Sequence, residues 1–378
     1  MTFSLNVDAV MFRAHLASVR DEIHSLGAQL TPVIKGNGYG FGRQTLARES
    51  TLLDLKRVAV GTVWELAQAL AEFAGEVHVL EPFNSQDKMA VAEWQRLAAQ
   101  HANRIIATIA TDDLASAHNV GICNVMLDAL TSLSRFGLTT HDMNDVMRAI
   151  PTGVTIQGLA LHLPIADSSI EHTAVLDVDA SATNLLATGR QLEVHSWLLT
   201  YRELASTYAL PLHVSLSHLS HDELKTLAHQ HPEFTFELRL GTSLWLGAPQ
   251  ALTVTGEVLA IHDVSRNQRV GYRQVRSERA QRLLVVSGGT AHGVALAAPS
   301  LRNSLRTKGI ALVESLNEIR GKVRSPFSLN GFGLPFAEPP HMHVSLLWCS
   351  DVSVKVGDQL TCNVRNTTAQ FDVVAGLH

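Results

Sequence analysis

Hydrophobic and polar positions in the first two thirds of the chain follow a repeating rhythm of short apolar runs and longer amphipathic stretches. The apolar runs have the length of buried strands, and the stretches between them have the periodicity of helices with one buried face. We predict strands at residues 30–34, 58–61, 77–80, 104–108, 123–127, 156–162, 212–215 and 236–240. We predict helices at residues 43–55, 64–73, 85–99, 111–117 (opened by a threonine cap), 141–149 and, as two helices separated near His195, within 180–208.

Eight predicted strands alternate with helices over about 240 residues, an alternation that is typical of an α/β fold and of a (β/α)8 barrel of the TIM type. An open, doubly wound sheet is the alternative. In a TIM barrel the chemical groups lie at the C-terminal ends of the strands. Polar side chains at or just after these strand ends favour the barrel; they are Lys35, Arg135, His162, Ser217 and Arg239.

After residue 251 the pattern changes to short strands with alternating hydrophobicity, which indicates an all-β domain. The predicted strands are residues 253–262, 268–275, 282–286, 343–349 and 354–361. Residues 287–293 have the composition of a turn, and residues 326–336 resemble a long irregular loop. We place a barrel domain at residues 1–246 and a C-terminal all-β domain at residues 247–378, with the first few residues of the chain as a candidate addition to the β domain.

The composition narrows the class of protein. Charged residues make up 17% of the 378 residues and hydrophobic residues 46%, which suits a large buried core rather than a disordered chain. The formal net charge of -5 disfavours nucleic acid as a partner. Three scattered cysteines indicate neither a disulfide framework nor a C-x-x-C metal site. We see no signal peptide and no apolar run that could span a membrane, so we expect a cytoplasmic protein.

A glycine-rich stretch after the first predicted strand carries the most distinctive chemistry. Residues 31–42 read T-P-V-I-K-G-N-G-Y-G-F-G, which places Lys35 at the strand end and Tyr39 four residues later. The glycine spacing differs from both common nucleotide phosphate loops. A partly desolvated lysine can attack the aldehyde of pyridoxal phosphate, and a tyrosine hydroxyl can donate a hydrogen bond to the phosphate. A glycine-rich turn with a solvated lysine is the alternative interpretation.

The stretch K-G-N-G-Y-G-F-G resembles the cofactor-lysine motif of the alanine racemase family, which usually has alanine at the position of Gly36. The resemblance runs through most of the chain and implies pyridoxal 5'-phosphate as the cofactor, attached to Lys35. It implies two catalytic bases, with Lys35 on one face of the substrate Cα and Tyr272, in the segment V-G-Y-R, on the other. It also implies a homodimer with shared sites, in which Tyr272 lies beside the partner's Lys35.

Further motifs imply the remaining cofactor contacts. The segment L-R-L-G-T resembles the one in which Arg239 contacts the pyridine nitrogen and the amides of Gly241 and Thr242 bind the phosphate, where Tyr39 also binds. In L-A-L-H-L-P, His162 matches the histidine behind the cofactor. The segment H-V-S-L-S implies Ser217 as another phosphate ligand and His213 as a supporting histidine, which would hydrogen-bond the tyrosine base.

The substrate contacts follow the family less closely. Arg135, in L-S-R-F-G, matches an arginine that reaches the cofactor's phenolic oxygen and the substrate carboxylate, and Met342 matches a methionine contributed by the partner subunit. The family's substrate-access motif appears here as G-G-T-A-H-G-V at residues 288–294, without its tyrosines and its aspartate. His343 stands where the family has an aspartate, and the family's late tyrosine is missing. These departures bear on the substrate more than on the cofactor.

We therefore predict a pyridoxal phosphate-dependent amino-acid racemase, with alanine as the favoured substrate and cell-wall precursors as the use of the product, or a close relative with another substrate. A decarboxylase of the same fold is an alternative, but we find neither the cysteine nor the acidic motifs that it would need. A non-catalytic carrier of the cofactor is another, although known carriers of this fold are barrels alone. A metal site is disfavoured because no cysteine or carboxylate completes a ligand set with the clustered histidines, which are His213, His218, His221, His341 and His343.

Overall fold

The computed structural model describes residues 2–166, 188–296 and 323–377. The chain divides into two compact units. The barrel unit comprises Arg13–Gly38 and Arg43–Gly247, and the β unit comprises Met1–Phe12, Tyr39–Gly42 and Ala248–His378. We keep the division after residue 246 as a proposal for the two domains.

The barrel unit contains eight parallel strands arranged in a nearly closed ring. The first strand of the chain, β1 (Phe3–Val7), belongs to the β unit, and the barrel strands are β2 (Gln29–Pro32), β3 (Arg57–Val60), β4 (Glu76–Pro82), β5 (Ile105–Ile109), β6 (Asn124–Asp128), β7 (Thr155–Leu161), β8 (His213–Ser217) and β9 (Thr235–Leu240). Neighbours in sequence pair in parallel from β3 to β9, and β9 pairs with β2. A parallel bridge between Val33 and Ala59 joins the two ends of the sheet. The predicted barrel is thus confirmed, and the open sheet is wrong.

Helices alternate with the barrel strands. They are α1 (Ala9–Ser25), α2 (Arg43–Leu52), α3 (Leu66–Glu72), α4 (Lys88–His101), α5 (Leu114–Asn119), α6 (Thr140–Arg148), α7 (Gly189–Tyr208), α8 (His221–Gln230) and α9 (Thr242–Trp245). In the described part of the chain, none of these helices is both long and apolar enough to cross a membrane.

Two of the predicted helices need correction. The break predicted near His195 is wrong, because α7 continues through it from the capping box of Thr188 and Gln191. No proline or internal glycine interrupts this helix, and residues 180–187 lie outside the described residues. The helix predicted at 111–117 begins only at Leu114, since the Thr111 hydroxyl donates to Asp113 (2.9 Å) and does not cap the helix.

The barrel interior contains a buried ionic network besides its apolar layer. Arg57 Nη1 lies 2.8 Å from Glu237 Oε2, and Ser215 Oγ donates to Glu237 Oε1 at 2.6 Å. Glu237 is fully buried. Burial alone would raise the pKa of Glu237, but its hydrogen bonds and Arg57 hold that pKa well below the usual range. The barrel therefore carries a charged carboxylate near its N-terminal end, paired as a buried charge must be.

The β unit confirms the predicted all-β domain. After β1 its strands are β10 (Leu252–Val264), β11 (Arg269–Val270), β12 (Val275–Arg276), β13 (Gln281–Ser287), β14 (Arg324–Leu329), β15 (Phe332–Pro335), β16 (Val344–Cys349), β17 (Gln359–Cys362) and β18 (Val373–Ala375). The long strand β10 pairs antiparallel with β1, β13 and β17, and β1 pairs in parallel with β18. The predicted turn at residues 287–293 is confirmed as a short helical turn after β13.

Residues 326–336 form a hairpin, so the predicted irregular loop is wrong. Leu329 of β14 pairs with Phe332 of β15. Asn330 and Gly331 between them both have positive φ (51° and 82°), as in a type I′ turn. Asn-Gly between short apolar stretches is the usual signal for such a turn. Residues 297–322, which precede this hairpin, lie outside the described residues.

Residues 268–275 were predicted as one strand but form a tight hairpin. Val270 of β11 pairs with Val275 of β12. Gly271 and Gln274 lie in the connecting turn with positive φ (71° and 50°). Tyr272 consequently lies at the tip of a turn and not within a strand. The strand predicted at 354–361 is also shorter than expected, because β17 begins only at Gln359.

Candidate active site

Lys35 follows β2 at the C-terminal mouth of the barrel. The amide of Val33 donates to the carbonyl of Leu240 (2.7 Å), and the amide of Ile34 donates to the carbonyl of Ala59 (2.8 Å). The strand end before the lysine is therefore hydrogen-bonded to both neighbouring strands. Because the C-terminal mouth is where TIM barrels carry their chemistry, Lys35 lies where its predicted role requires.

The loop after Lys35 is held by Glu65, a residue that the sequence analysis missed. Glu65 Oε1 accepts a hydrogen bond from the amide of Gly36 (2.8 Å), and Oε2 accepts one from the amide of Gly61 (2.7 Å). Arg43 donates to the carbonyl of Gly36, and its guanidinium lies 4.0 Å from Glu65. A Cβ on Gly61 would lie only 3.2 Å from Lys35 Cβ. The Glu65 carboxylate thus joins the loop after Lys35 to the loop after β3. The Lys35 side chain packs against Gly61 in the second of these loops.

The surroundings of Lys35 favour its neutral amine. Partial burial lowers the pKa of Lys35, and the charges of Arg135 and Arg239 lower it further, while Glu65 opposes them. The side chain is nevertheless open to solvent at the barrel mouth. A neutral lysine amine is the form that attacks a carbonyl carbon. Lys35 is therefore both accessible and inclined towards nucleophilic chemistry.

Arg239 lies buried near the end of β9, where its Nη2 donates to the carbonyl of Leu161 (2.8 Å). Burial lowers the pKa of Arg239, and the carboxylates of Asp128 and Glu237 oppose that shift. A guanidinium retains its proton even so. The site therefore holds a permanent buried cation, which is suited to contact an unprotonated ring nitrogen.

Polar hydrogens that suit a phosphate meet at the ends of β8 and β9. Ser217 is paired with Arg239 in the sheet, and Ser217 Oγ lies 3.1 Å from His162 Nδ1. Gly241 directly precedes α9, whose first residue is Thr242. The first amides of a helix have no acceptor within it. The loops after the last two barrel strands, together with a short extra helix, are a frequent phosphate site in TIM barrels, so this set of donors fits the phosphate of pyridoxal phosphate.

His162 follows β7 at the same mouth, and its carbonyl accepts a hydrogen bond from Thr131 Oγ1 (2.6 Å). Burial lowers the pKa of His162 to about 3, with Arg239 and Arg135 as further causes. Its imidazole is therefore neutral at physiological pH. A neutral ring fits the predicted packing role behind a cofactor better than a charge would.

Arg135 lies exposed in the loop after β6, with its guanidinium carbon 5.2 Å from the centre of the Phe136 ring. It lines a cavity of about 440 Å³. The aromatic walls of this cavity are Phe83, Trp94 and Phe136. The charge of Arg135 lowers the pKa of Lys35 and the pKa of His162, two residues that follow barrel strands at the C-terminal mouth.

His213 is the first residue of β8, whereas Ser217 is the last. At a rise of about 3.3 Å per residue the two Cα atoms are separated by roughly 13 Å along the strand. His213 Nε2 lies 3.5 Å from Glu237 Oε2 in the ionic network. The structure therefore places His213 towards the N-terminal end of the barrel, and its role as partner of the tyrosine base stays a prediction.

Three of the predicted site residues, Tyr39, Tyr272 and Met342, belong to the β unit. Tyr39 is buried and has a left-handed backbone (φ 54°). Tyr272 is 85% exposed, and Met342 is also exposed. The segment corresponding to the access motif lies beside Met342, because the amide of Ala291 donates to the Met342 carbonyl (2.9 Å).

The histidines weighed as metal ligands have separate neighbours. His218 Nδ1 lies 2.7 Å from the carbonyl of Leu163, and His221 Nδ1 lies 2.9 Å from Glu22 Oε1. Within residues 2–166, 188–296 and 323–377, no group of three or more histidine, cysteine or acidic side chains is arranged to hold a metal ion.

Comparison with known proteins gives a consistent result. Residues 7–245, more than half of the chain, match the family model for the alanine racemase N-terminal domain. An alanine racemase of Nitrosomonas eutropha (strain DSM 101675 / C91 / Nm57) is 26% identical over 363 residues, which cover 88% of this chain and 91% of that protein.

Two solved structures show the same fold. The biosynthetic alanine racemase from Pseudomonas aeruginosa has a TM-score of 0.61 and 19% identity, covering 97% of this chain and 91% of its own. The alanine racemase from Bartonella henselae, with covalently bound pyridoxal phosphate, has a TM-score of 0.61 and 18% identity, covering 96% of this chain and 90% of its own.

Proposed function

Because this chain belongs to the alanine racemase family, we propose that it is a pyridoxal phosphate-dependent racemase that interconverts L-alanine and D-alanine. The observation that carries the proposal is the barrel mouth. There, partial burial and two arginines lower the pKa of Lys35, and Ser217 and the N-terminus of α9, which suit a phosphate, follow strands β8 and β9 at the same mouth.

The barrel residues divide the work of holding the cofactor. The Lys35 amine would hold its aldehyde carbon. Ser217 and the amides of Gly241 and Thr242 would hold the phosphate, with Tyr39 as a further ligand implied by the family. Arg239 would face the pyridine nitrogen, and His162 would pack behind the ring. When bound, the cofactor supplies an electron sink that makes the proton on the substrate Cα acidic.

Racemisation then needs a proton acceptor and a donor on opposite faces of Cα. We assign Lys35 Nζ, which would be free once the substrate amine replaces it on the aldehyde carbon, to one face and Tyr272 Oη to the other. One base would then remove the proton and the other would return one. The Arg135 guanidinium would grip the substrate carboxylate through two parallel hydrogen bonds. Met342 would contact the substrate side chain.

The assembly is part of the same proposal. The family resemblance supports a homodimer in which Tyr272 lies beside the partner's Lys35. The Bartonella henselae relative with covalently bound pyridoxal phosphate supports the cofactor. A cytoplasmic location and the use of the product in cell-wall precursors remain predictions from the sequence.

A related racemase with a larger substrate is the second candidate. A cavity of about 440 Å³, with Phe83, Trp94 and Phe136 in its walls, lies beside Arg135, the residue that would hold the substrate carboxylate. The altered access motif at residues 288–294 points the same way. Alanine and bulkier amino acids therefore belong in the same assay.

Borohydride reduction of the protein loaded with pyridoxal phosphate, followed by peptide mass analysis, tests the proposal. We expect the reduced adduct on Lys35, its loss in Lys35→Arg, and no change in Lys88→Arg, a control in the same unit. NMR in heavy water should then show loss of the α-proton signal from alanine or from another member of an amino-acid panel. An adduct on a different lysine, or exchange with no amino acid, would contradict the proposal. Release of carbon dioxide would identify a decarboxylase.

A further inference from the structure

The turn that carries Tyr272 is built around a buried carboxylate. Glu338 is 5% exposed, and its two oxygens accept hydrogen bonds from the backbone amides of Tyr272 and Arg273, both at 2.9 Å. A Cβ on Gly271 would lie 2.1 Å from Glu338 Oε1. Glycine at this position is what permits the carboxylate to approach the turn so closely.

His341 connects the same carboxylate to the tyrosine ring. His341 Nε2 lies 2.5 Å from Glu338 Oε1, and the His341 and Tyr272 ring centres are 4.3 Å apart with an interplanar angle of 35°. The His341 backbone is also fixed, since its amide donates to Val344 and its carbonyl accepts from Thr290, both at 2.9 Å. The imidazole therefore has a defined position against one face of the phenol ring.

This arrangement is costly for an ordinary surface turn. Burying a carboxylate is unfavourable unless hydrogen bonds compensate for its lost hydration. Holding an exposed tyrosine in one position also costs conformational entropy. Here a buried carboxylate holds the backbone of the turn, and a fixed imidazole lies against the ring of Tyr272, which is 85% exposed. Such an arrangement fixes the direction in which the Tyr272 hydroxyl points.

We propose that Glu338 and His341 are positioning residues for Tyr272: the Glu338 carboxylate holds the turn, and the His341 ring, fixed on that carboxylate, holds the phenol. The inference rests on the proposed function, because it takes Tyr272 as one of the two bases. The segment A-E-P-P-H-M-H that supplies both residues also contains Met342, the predicted substrate contact. One segment thus supports the tyrosine and contributes to the substrate pocket.

The first test observes Tyr272 in the protein without cofactor. The chain has 4 tyrosines, so labelling with tyrosine that carries 13C at Cζ gives four NMR signals, and Tyr272→Phe assigns one of them. We expect Glu338→Gln and His341→Ala to move the Tyr272 signal towards that of free tyrosine and to leave the other three in place. Glu278→Gln and His262→Ala alter exposed residues of the same unit and should move none.

Hydrogen exchange reports on the turn itself. Glutamine at position 338 has one oxygen to accept an amide hydrogen and turns its own N–H groups towards the other amide. We expect peptides covering residues 268–276 to exchange at least about tenfold faster in Glu338→Gln, while peptides from the barrel unit remain protected.

The second test separates positioning from general damage. A base on one face of Cα contributes about 10²–10⁴-fold to proton transfer. His341→Ala should therefore slow α-proton exchange from the enantiomer that Tyr272 serves by about tenfold more than exchange from the other enantiomer. Equal slowing of both enantiomers would mean a structural role only and would overturn the inference.

The outcomes distinguish this inference from the proposed function. If Tyr272→Phe slows one enantiomer selectively and neither Glu338→Gln nor His341→Ala does so or moves the tyrosine signal, the positioning role alone is overturned. If Tyr272→Phe leaves both exchange rates unchanged, Tyr272 is not a base, and the proposed mechanism is overturned together with the inference.

Discussion

The loop of Lys35 and the turn of Tyr272 are held by the same device in different surroundings. In each, one carboxylate accepts hydrogen bonds from two backbone amides: Glu65 holds the loop after Lys35, and Glu338 holds the turn of Tyr272. The amides of the turn are consecutive, whereas those held by Glu65 belong to two different loops of the barrel.

The electrostatic surroundings of the two residues differ. Partial burial lowers the pKa of Lys35, and the charges of Arg135 and Arg239 lower it further. Tyr272 is exposed and has an imidazole ring against its face. Similar backbone hydrogen bonding therefore holds an amine in one case and a phenol in the other, while burial and then the neighbouring charges shift the pKa of the lysine.

Tyr272→Phe should have the largest effect, because it removes one proposed base and leaves the other. We expect α-proton exchange from the L-enantiomer to fall by about 10²–10⁴-fold, and exchange from the D-enantiomer to fall much less. Pyridoxal phosphate should still attach to Lys35. NMR in heavy water with each enantiomer measures both rates. An equal fall in both exchange rates would mean that Tyr272 does not serve one face of Cα selectively.

Asp128→Asn tests the electrostatic surroundings of the arginines that lie near Lys35. Burial raises the pKa of Asp128 to about 6, against the pull of Arg239 and Arg135. Because this folded-state pKa lies above the ordinary value of 3.8, the carboxyl stabilises the fold in acid and that stability is lost as the pH rises through about 6. Between pH 4 and pH 7.5 the wild type should lose roughly 2 kcal/mol more unfolding free energy than Asp128→Asn.

Urea denaturation at the two pH values measures this difference. Tryptophan fluorescence is a suitable signal, since four of the 5 tryptophans lie in the barrel unit. Asp112→Asn is the matched control, because Asp112 is exposed in the same unit. A parallel pH dependence of the wild type and Asp128→Asn would show that Asp128 ionises as it does in the unfolded chain.

A mixture of Tyr272→Phe and Lys35→Ala subunits tests whether the two bases of one site come from different subunits. Tyr272→Phe and Lys35→Ala are each expected to be nearly inactive. If subunits pair at random, half of the dimers are mixed and one of their two sites is intact, so about a quarter of the wild-type activity should return. Activity of the mixture no greater than the mean of the two parents, or an active monomer in sedimentation, would count against shared sites.

Glu65→Gln should have the smallest effect. It keeps the shape of the side chain but loses one of its two hydrogen bonds, to the amide of Gly36 or to that of Gly61, at a cost of about 1 kcal/mol in stability. Because Glu65 raises the pKa of Lys35 against burial and the arginines, that pKa should fall further in the variant. The pH dependence of Lys35 acylation in the protein without cofactor, read by mass spectrometry, should shift to lower pH. Glu203→Gln, an exposed change in the same unit, should leave the midpoint in place.

Contiguous sequence patterns determined much of this protein. The eight barrel strands follow from apolar runs, and the family follows from the motif around Lys35, because both signals are contained in consecutive residues. The signal for the hairpin at residues 326–336 is also contained in consecutive residues, since Asn330 and Gly331 form its turn. The irregular loop predicted there is nevertheless wrong. The uninterrupted helix α7 was misread as well, although no proline or internal glycine breaks it.

Only the tertiary structure decided which side chains support the proposed bases. Glu65 and Gly36 are 29 positions apart, and Glu338 and Tyr272 are 66 positions apart. No motif connects such residues, because their hydrogen bonds depend on which strands and turns become neighbours during folding. The same reason explains His213: its spacing from Ser217 matched a motif, but the buried Glu237 beside it comes from the neighbouring strand β9.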